Sequence, residues 1–242
     1  MKGWIMCGIV AYTGKRPVAR VLLDGLKRLE YRGYDSAGLA MLGDDVQCVK
    51  STGKVKCLEE KIRTQKPELL TCSGCGIAHT RWATHGAPTA ENAHPHFDAS
   101  YRFAVVHNGI IENYQELRSV LEKKGVVFRS QTDSEVLPHL IAEAYEGDLL
   151  SAVAAALKQV KGTYGIAVIS TLEPDKIITA RNGSPIVIGI GDKENLIASD
   201  VAPLLPYTSK VIYLNDGDIA MVTPEKIDLR NINKMPVEQV VG

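Results

Sequence analysis

No apolar run in the 242-residue chain reaches the ~20 residues that a bilayer-spanning helix needs, so no transmembrane helix is expected. Charge of one sign is also missing. The 28 Lys and Arg are balanced by 28 Asp and Glu, which leaves no broad positive field to select nucleic acid or an anionic membrane as partner. The opening MKGWIM has one lysine and no long apolar region behind it, a poor secretory signal, and a cytoplasmic location is expected. Five cysteines, an odd number in a chain this long, do not make a disulfide framework. Cys72 and Cys75 have the C-x-x-C spacing of a redox pair or half a zinc site. No second pair matches it, since Cys48 and Cys57 lie nine apart, so free thiols and no metal are expected. No glycine-rich phosphate loop follows a strand and opens a helix, Gly189 and Gly191 marking only a turn, and no internal repeat is present. No cofactor is implied.

What is present is an ordinary globular composition, 45% hydrophobic and 23% charged, in a chain long enough for one good core or two small domains. Residues 7–12 form an apolar, β-prone run bounded by Thr13-Gly14. Pro17 suits the first turn of a helix whose apolar face is Val18, Val21, Leu22, Leu26 and Leu29. A polar loop leads to a hairpin of 39–42 with 46–50, and a helix over 55–63 follows. Strand 76–81 enters a long polar loop over 82–100, and strand 103–107 ends in Asn108-Gly109. Asn113 with Glu116, and Thr132 with Glu135, have capping-box spacing and are expected to open two helices; a third helix covers 149–160. The chain then turns to strands: 164–170, 176–181, 186–190, 196–199, 211–214 and 219–223. Strands flanking a central run of helices, with hairpin-length connections, predict an α+β fold of antiparallel sheets covered by helices. Residues 231–242 read as a tail or the start of a linker.

Four positions combine into a chemistry. Cys7 opens its strand; a terminal cysteine carries its own base, because an α-amine titrates near 7.7–8.0 whereas a thiol of pKa about 8.5 is mostly protonated at neutrality. The alternative for Cys7 is a small buried thiol. Asn108 and Gly109 can point an amide and a backbone N–H at one oxygen, as an oxyanion hole does, or can simply form a β-turn. Arg81 can clamp a carboxylate or be a solvated surface side chain. Asp133 can cap its helix or, with Thr132 as the cap, hold an ammonium. Together they fit a free amino acid with a terminal amide.

Five stretches carry a family resemblance: CGIVAYTG from Cys7, LEYRGYDSAG from Leu29, HTRWATHG from His79, HNGIIENY from His107 and QTDSE from Gln131. They span most of the first 135 residues and resemble the class II glutamine amidotransferases, in particular the glutaminase domains of isomerising glutamine–fructose-6-phosphate aminotransferases. The resemblance implies an N-terminal nucleophile hydrolase fold, a four-layer αββα sandwich with two antiparallel sheets between helix layers. It implies that Cys7 forms a glutamyl thioester and releases ammonia from L-glutamine, with Asn108 and Gly109 as the oxyanion hole and Arg32 orienting the terminal amine. Arg81 would bind the glutamine carboxylate and Asp133 its α-amine, with Thr84, His85 and Gly86 lining the pocket. Trp82 resembles the aromatic that gates ammonia passage to a sugar site. His94 and His96 fall in a family loop, which weakens a metal reading of that pair. Sugar-isomerase domains following this one, and a homodimer of the longer enzyme, are the implied partners.

Two departures accompany the resemblance. The family nucleophile directly follows the initiator methionine, whereas here residues 1–6 precede it, so the active protein is expected to begin at Cys7. The glutaminase domain is then 7–230, with 231–242 leading toward isomerase domains that the chain does not contain. Two other readings are a glutaminase domain of an amidophosphoribosyltransferase, in which RGQDSAG-like and HVRYST-like wording is expected, and a silent module that senses glutamine.

Overall fold

Alternation along the strands sets the architecture. In the computed structural model, which describes residues 7–32, 34–43, 45–82, 87–238 and 241–242, the elements run in chain order as follows. They are β1 (Gly8–Gly14), α1 (Val18–Lys27), β2 (Ser36–Leu42), β3 (Val46–Thr52), α2 (Val55–Gln65), β4 (Gly74–Arg81), β5 (His96–Phe97), β6 (Phe103–Ile111) and α3 (Tyr114–Lys123). There follow α4 (Val136–Ala144), α5 (Leu149–Leu157), β7 (Gly162–Ser170), β8 (Ile177–Asn182), β9 (Val187–Ile190), β10 (Asn195–Ala198), β11 (Val211–Tyr213), β12 (Asp218–Val222) and β13 (Ile227–Asn231). Among the described residues the strands make two antiparallel sheets, β11-β9-β10-β1-β4-β2-β3 and β13-β12-β8-β7-β6-β5.

Successive side chains on a strand face opposite ways, and both faces of both sheets are apolar here. Val10 and Tyr12 of β1 pack with Leu22 and Leu26 of α1 and Leu58 of α2. Ile9 and Ala11 face the other sheet, where Ala104 and Val106 of β6 and Ala167 and Ile169 of β7 meet them. The remaining face of β6 and β7, through Phe103, Val105, Ile166 and Val168, is covered by α4 and α5. The order is therefore helices, sheet, sheet, helices, the four layers expected. Small residues recur in the middle layer, with Ala11, Ala40, Ala104, Ala167 and Ala220 fully or almost fully buried there, and this lets the two sheets approach closely.

Several local expectations are corrected. The strand expected to stop at Asn108-Gly109 continues to Ile111, with Asn108 opposite Gly165 and Gly109 opposite Tyr164, so the pair is not a β-turn. Neither capping box forms. The Asn113 side chain ties down the α5–β7 connection instead, donating to the Gln159 carbonyl and accepting from the Lys161 N–H, both at 2.9 Å. Thr132 makes no cap bond; its hydroxyl contacts His96 Nε2 at 3.0 Å, while Glu135 turns back to accept the Arg129 and Ser130 N–H groups. A 3-10 turn at Asp133–Glu135 leads into α4 in its place. Strand β13 goes beyond the strands expected from the sequence: Ile227 and Leu229 alternate with Asp228 and Arg230, but two apolar residues make too short an alternation to stand out from a polar stretch. In the 231–242 stretch Val237 donates to the Leu229 carbonyl, and Gly242 exchanges two backbone bonds with Val211.

One close approach constrains how the 87–95 loop lies on the first sheet. A Cβ at Gly38 of β2 would overlap the His94 carbonyl, a backbone atom with no rotamer to move. Gly38→Ala is expected to destabilise the fold by about 2–3 kcal/mol through this overpacking, read as a lowered urea midpoint. An unchanged midpoint would show that the loop yields.

Candidate active site

The ends of β1, β4 and β6 meet at Cys7. Antiparallel pairing of Gly8 with Thr80 sets Cys7 beside the exit of β4, where the Trp82 N–H donates to Cys7 Sγ at 3.2 Å. The thiol is half-buried, and that burial pushes its pKa up, against the lowering effects of the Trp82 N–H and the Arg81 charge. A thiol held neutral in this way needs a base to become a nucleophile.

From the opposite sheet, Asn108 Nδ2 donates to the Cys7 carbonyl at 3.1 Å. The orientation of this amide follows from its other neighbour. His79 Nε2 lies 3.0 Å from the His107 carbonyl and 2.9 Å from Asn108 Oδ1. A carbonyl only accepts, so Nε2 must carry the proton, and Asn108 must turn its oxygen toward His79 and its NH₂ toward Cys7. Gly109, next along β6, has φ of 129°, and a Cβ there would overlap the Thr163 carbonyl. Only glycine lets β6 follow this path against β7.

Arg81 is 4% exposed, which rules out the solvated surface reading. Its Nη1 donates to the Ala87 carbonyl at 3.2 Å and stands 3.9 Å from Asp35. Asp133 is buried as well, and one oxygen is already committed: Oδ2 accepts the Ile111 N–H at 2.8 Å. That bond fastens the Asp133 turn to the end of β6. Its Oδ1 is the oxygen left for a ligand, with the Ser134 hydroxyl 3.3 Å away. The expectation that a Thr132 cap releases Asp133 is thus replaced by a different arrangement, in which Asp133 is oriented by β6. Trp82 is 41% exposed, and its backbone N–H and carbonyl both lie against Cys7 Sγ. Thr84, His85, Gly86 and the Arg32 side chain lie outside the described residues, as do residues 1–6.

Residues 79–206 match the glutamine amidotransferase domain model, more than half of the chain. The chain belongs to the glutamine amidotransferase family. It is 53% identical over 239 residues to the glutamine–fructose-6-phosphate aminotransferase (isomerizing) of Symbiobacterium thermophilum, covering 98% of this chain and 38% of the relative. It is 50% identical over 237 residues to the enzyme of the same name from Aquifex aeolicus, covering 98% of this chain and 39% of that one. The chain thus spans under two-fifths of the length of these relatives. In fold it is similar to the glutamine phosphoribosylpyrophosphate amidotransferase of B. subtilis, with a TM-score of 0.79 at 22% identity over 93% of this chain and 49% of the other. The N-terminal nucleophile type of sandwich expected from the sequence is therefore the fold of this amidotransferase domain.

Beneath the site lies a group of imidazoles to which the sequence reading assigned no part in it. His79 stacks on His94 with centroids 4.1 Å apart, and His94 meets His96 edge-on at 4.5 Å. His107 Nε2 donates to the Thr163 carbonyl, so its Nδ1 accepts from the Ser134 hydroxyl at 2.8 Å. Among the described residues no histidine, cysteine or carboxylate group is arranged to hold a metal. One signal for His79 was legible: it is in phase with Cys75 and Ile77, which face the other sheet, so a polar ring had to enter the middle layer.

Burial holds these rings neutral. It pulls His79 down to about 3 against its opposing bond to Asn108, lowers His94 and His96 well below their ordinary value, and lowers His107 despite the nearby Asp133. Unfolded histidine titrates near 6.5, above every one of these folded values. The stability they confer is therefore complete above pH ~6.5 and drains as pH falls toward the folded pKa values. Unfolding near pH 5.5 is expected to take up roughly three to four protons, measured as the slope of unfolding free energy against pH. A slope below one proton would mean that the rings are already charged in the native state.

Proposed function

We propose that this domain hydrolyses L-glutamine to glutamate and ammonia through a thioester on Cys7. The observation that carries the reading is the Asn108 amide, whose NH₂ points at the Cys7 backbone 3.1 Å away because His79 holds its oxygen. A donor fixed before substrate arrives is what stabilises a tetrahedral oxyanion, and it needs no rearrangement as charge develops.

The steps follow from the groups present. The Cys7 α-amine, with a pKa of about 7.7–8.0, takes the thiol proton as Sγ adds to the glutamine side-chain carbonyl. The oxyanion rests on Asn108 Nδ2 and the Gly109 N–H. Collapse of the intermediate breaks the C–N bond, and the α-ammonium returns its proton to the departing ammonia. Water then adds to the thioester by the same route and releases glutamate. Arg81 binds the α-carboxylate and Asp133 Oδ1 the α-ammonium; Arg32, Thr84, His85 and Gly86 complete the pocket, and Trp82 gates the exit of ammonia. This scheme requires that the active protein begin at Cys7, with residues 1–6 removed or untranslated, because an amide nitrogen is not a base.

The names of the relatives support the next step, ammonia passed to fructose 6-phosphate; the family resemblance adds that this gives glucosamine 6-phosphate in sugar-isomerase domains of a longer protein, which we take to be homodimeric and cytoplasmic. Their 50–53% identity favours this branch over the amidophosphoribosyltransferase branch, where the likeness is one of fold.

Ammonia release from glutamine tests the scheme. Cys7→Ala is expected to abolish it, and Asn108→Ala to lower kcat by about 10²–10³-fold with a smaller change in KM. Mass spectrometry of the same active sample should find Cys7 as the first residue; full activity with Met1 intact would sink the α-amine mechanism. Glutamine binding without any ammonia release, from a protein with a free Cys7 terminus, would favour a sensor.

A further inference from the structure

A cavity of about 470 Å³ is lined by β3, α2, the 90–101 stretch and the 129–135 segment, and Cys7, Arg81, Asn108 and Asp133 are not among its lining residues. It has the chemistry of an anion site. Lys50, Lys61, Lys66 and Arg129 line it, with Glu91 and Glu135 as the carboxylates, leaving two positive charges uncompensated. Glu135 is fully engaged elsewhere: the Arg129 and Ser130 N–H groups donate to it at 2.8 and 2.6 Å, and together with His139 they outweigh its burial and hold its pKa at about 2. Glu91 stands in solvent on the rim.

Lys50 is the unusual member. It lies on β3 opposite Gly38, where the absent side chain leaves room for its stem, a Cβ there falling 3.1 Å from Lys50 Cγ. Its ammonium has no hydrogen bond or ion pair among the described residues, although the side chain is mostly buried and that burial lowers its pKa. A desolvated cation with no partner is costly unless something supplies the charge. Its neighbours are ordered without being used up. Lys61 Nζ donates once, to the Lys50 carbonyl at 2.9 Å, and Lys66 Nζ once, to Gln47 Oε1 at 2.7 Å, each retaining further donors. The Arg129 guanidinium lies 4.4 Å from the centroid of the Tyr101 ring. Tyr101 itself has φ of 57°, a left-handed conformation that a bulky residue adopts at some cost and that is concentrated at functional positions.

We propose that this cavity binds a small phosphorylated metabolite, its phosphate dianion seated on Lys50 between Lys61, Lys66 and Arg129. The two uncompensated charges match a phosphate monoester near neutrality. The volume is that of a small-molecule site and exceeds the needs of a bare phosphate ion, so an organic portion shares the cavity, beside Tyr101 and Phe97. The site is separate from the glutamine chemistry and does not depend on it.

Titration calorimetry of the chain with inorganic pyrophosphate and with ribose 5-phosphate, at constant ionic strength, tests the proposal. Saturable one-to-one binding of either probe is expected, weakened by about tenfold or more in Lys50→Met and retained in Lys50→Arg. Because Lys50→Met removes a desolvated charge, its Tm and its rate of ammonia release should not fall, which separates lost binding from lost folding. Absence of saturable binding, equal binding by chloride at the same ionic strength, or parental affinity in Lys50→Met would each overturn it.

Discussion

The single N–H of the His79 ring joins the two sheets where the chemistry is placed. It donates from β4 of one sheet to the His107 carbonyl and the Asn108 side chain of the other. In a low-dielectric layer an unpaired amide is costly, so the bond is both structural and directive: it selects which end of the Asn108 amide meets Cys7. The ring can act this way only while Nε2 carries a proton; its complete burial keeps the ring neutral, and the His107 carbonyl keeps that one proton on Nε2. Among the described residues the same ring leaves Nδ1 without a partner, a polar group spent on direction rather than on satisfaction.

Around that contact the fold works as a vice. Alanines in the middle layer bring β1 and β6 close enough for a side chain of one to reach the backbone of the other, and thick helical layers outside hold both sheets in place. The Asp133 turn is attached to the same frame through the Ile111 N–H, and Arg81 through the register of β4. Strand register, which is stiff, places Arg81 and the backbone of Asn108, and side-chain bonds to that frame then orient Asp133 and the Asn108 amide.

Much of this was legible in the chain. The alternation in GIVAY and FAVVH shows buried strands, the 18–29 face shows a helix, and the motif order shows the family. The local polar signals were less dependable. Asn-Gly favours a turn, and T-x-x-E and N-x-x-E favour helix caps, yet at all three positions a partner distant in sequence claimed the side chain: His79 for Asn108, His96 for Thr132, Lys161 for Asn113. Such a bond depends on sheet packing, which short-range propensity does not encode.

By itself, then, the sequence determined which residue types were available for acyl chemistry, how the strands and helices alternate, and to which family the chain belongs, because these are properties of composition and local period. Only the tertiary structure decided how Asn108 is turned, that Asp133 is oriented by β6 and not released by a cap, and that Lys50 stands desolvated beside other cations. Each of those depends on the approach of segments tens of residues apart, and burial converts an ordinary side chain into a neutral donor, a fixed amide or an uncompensated charge only once that approach is made.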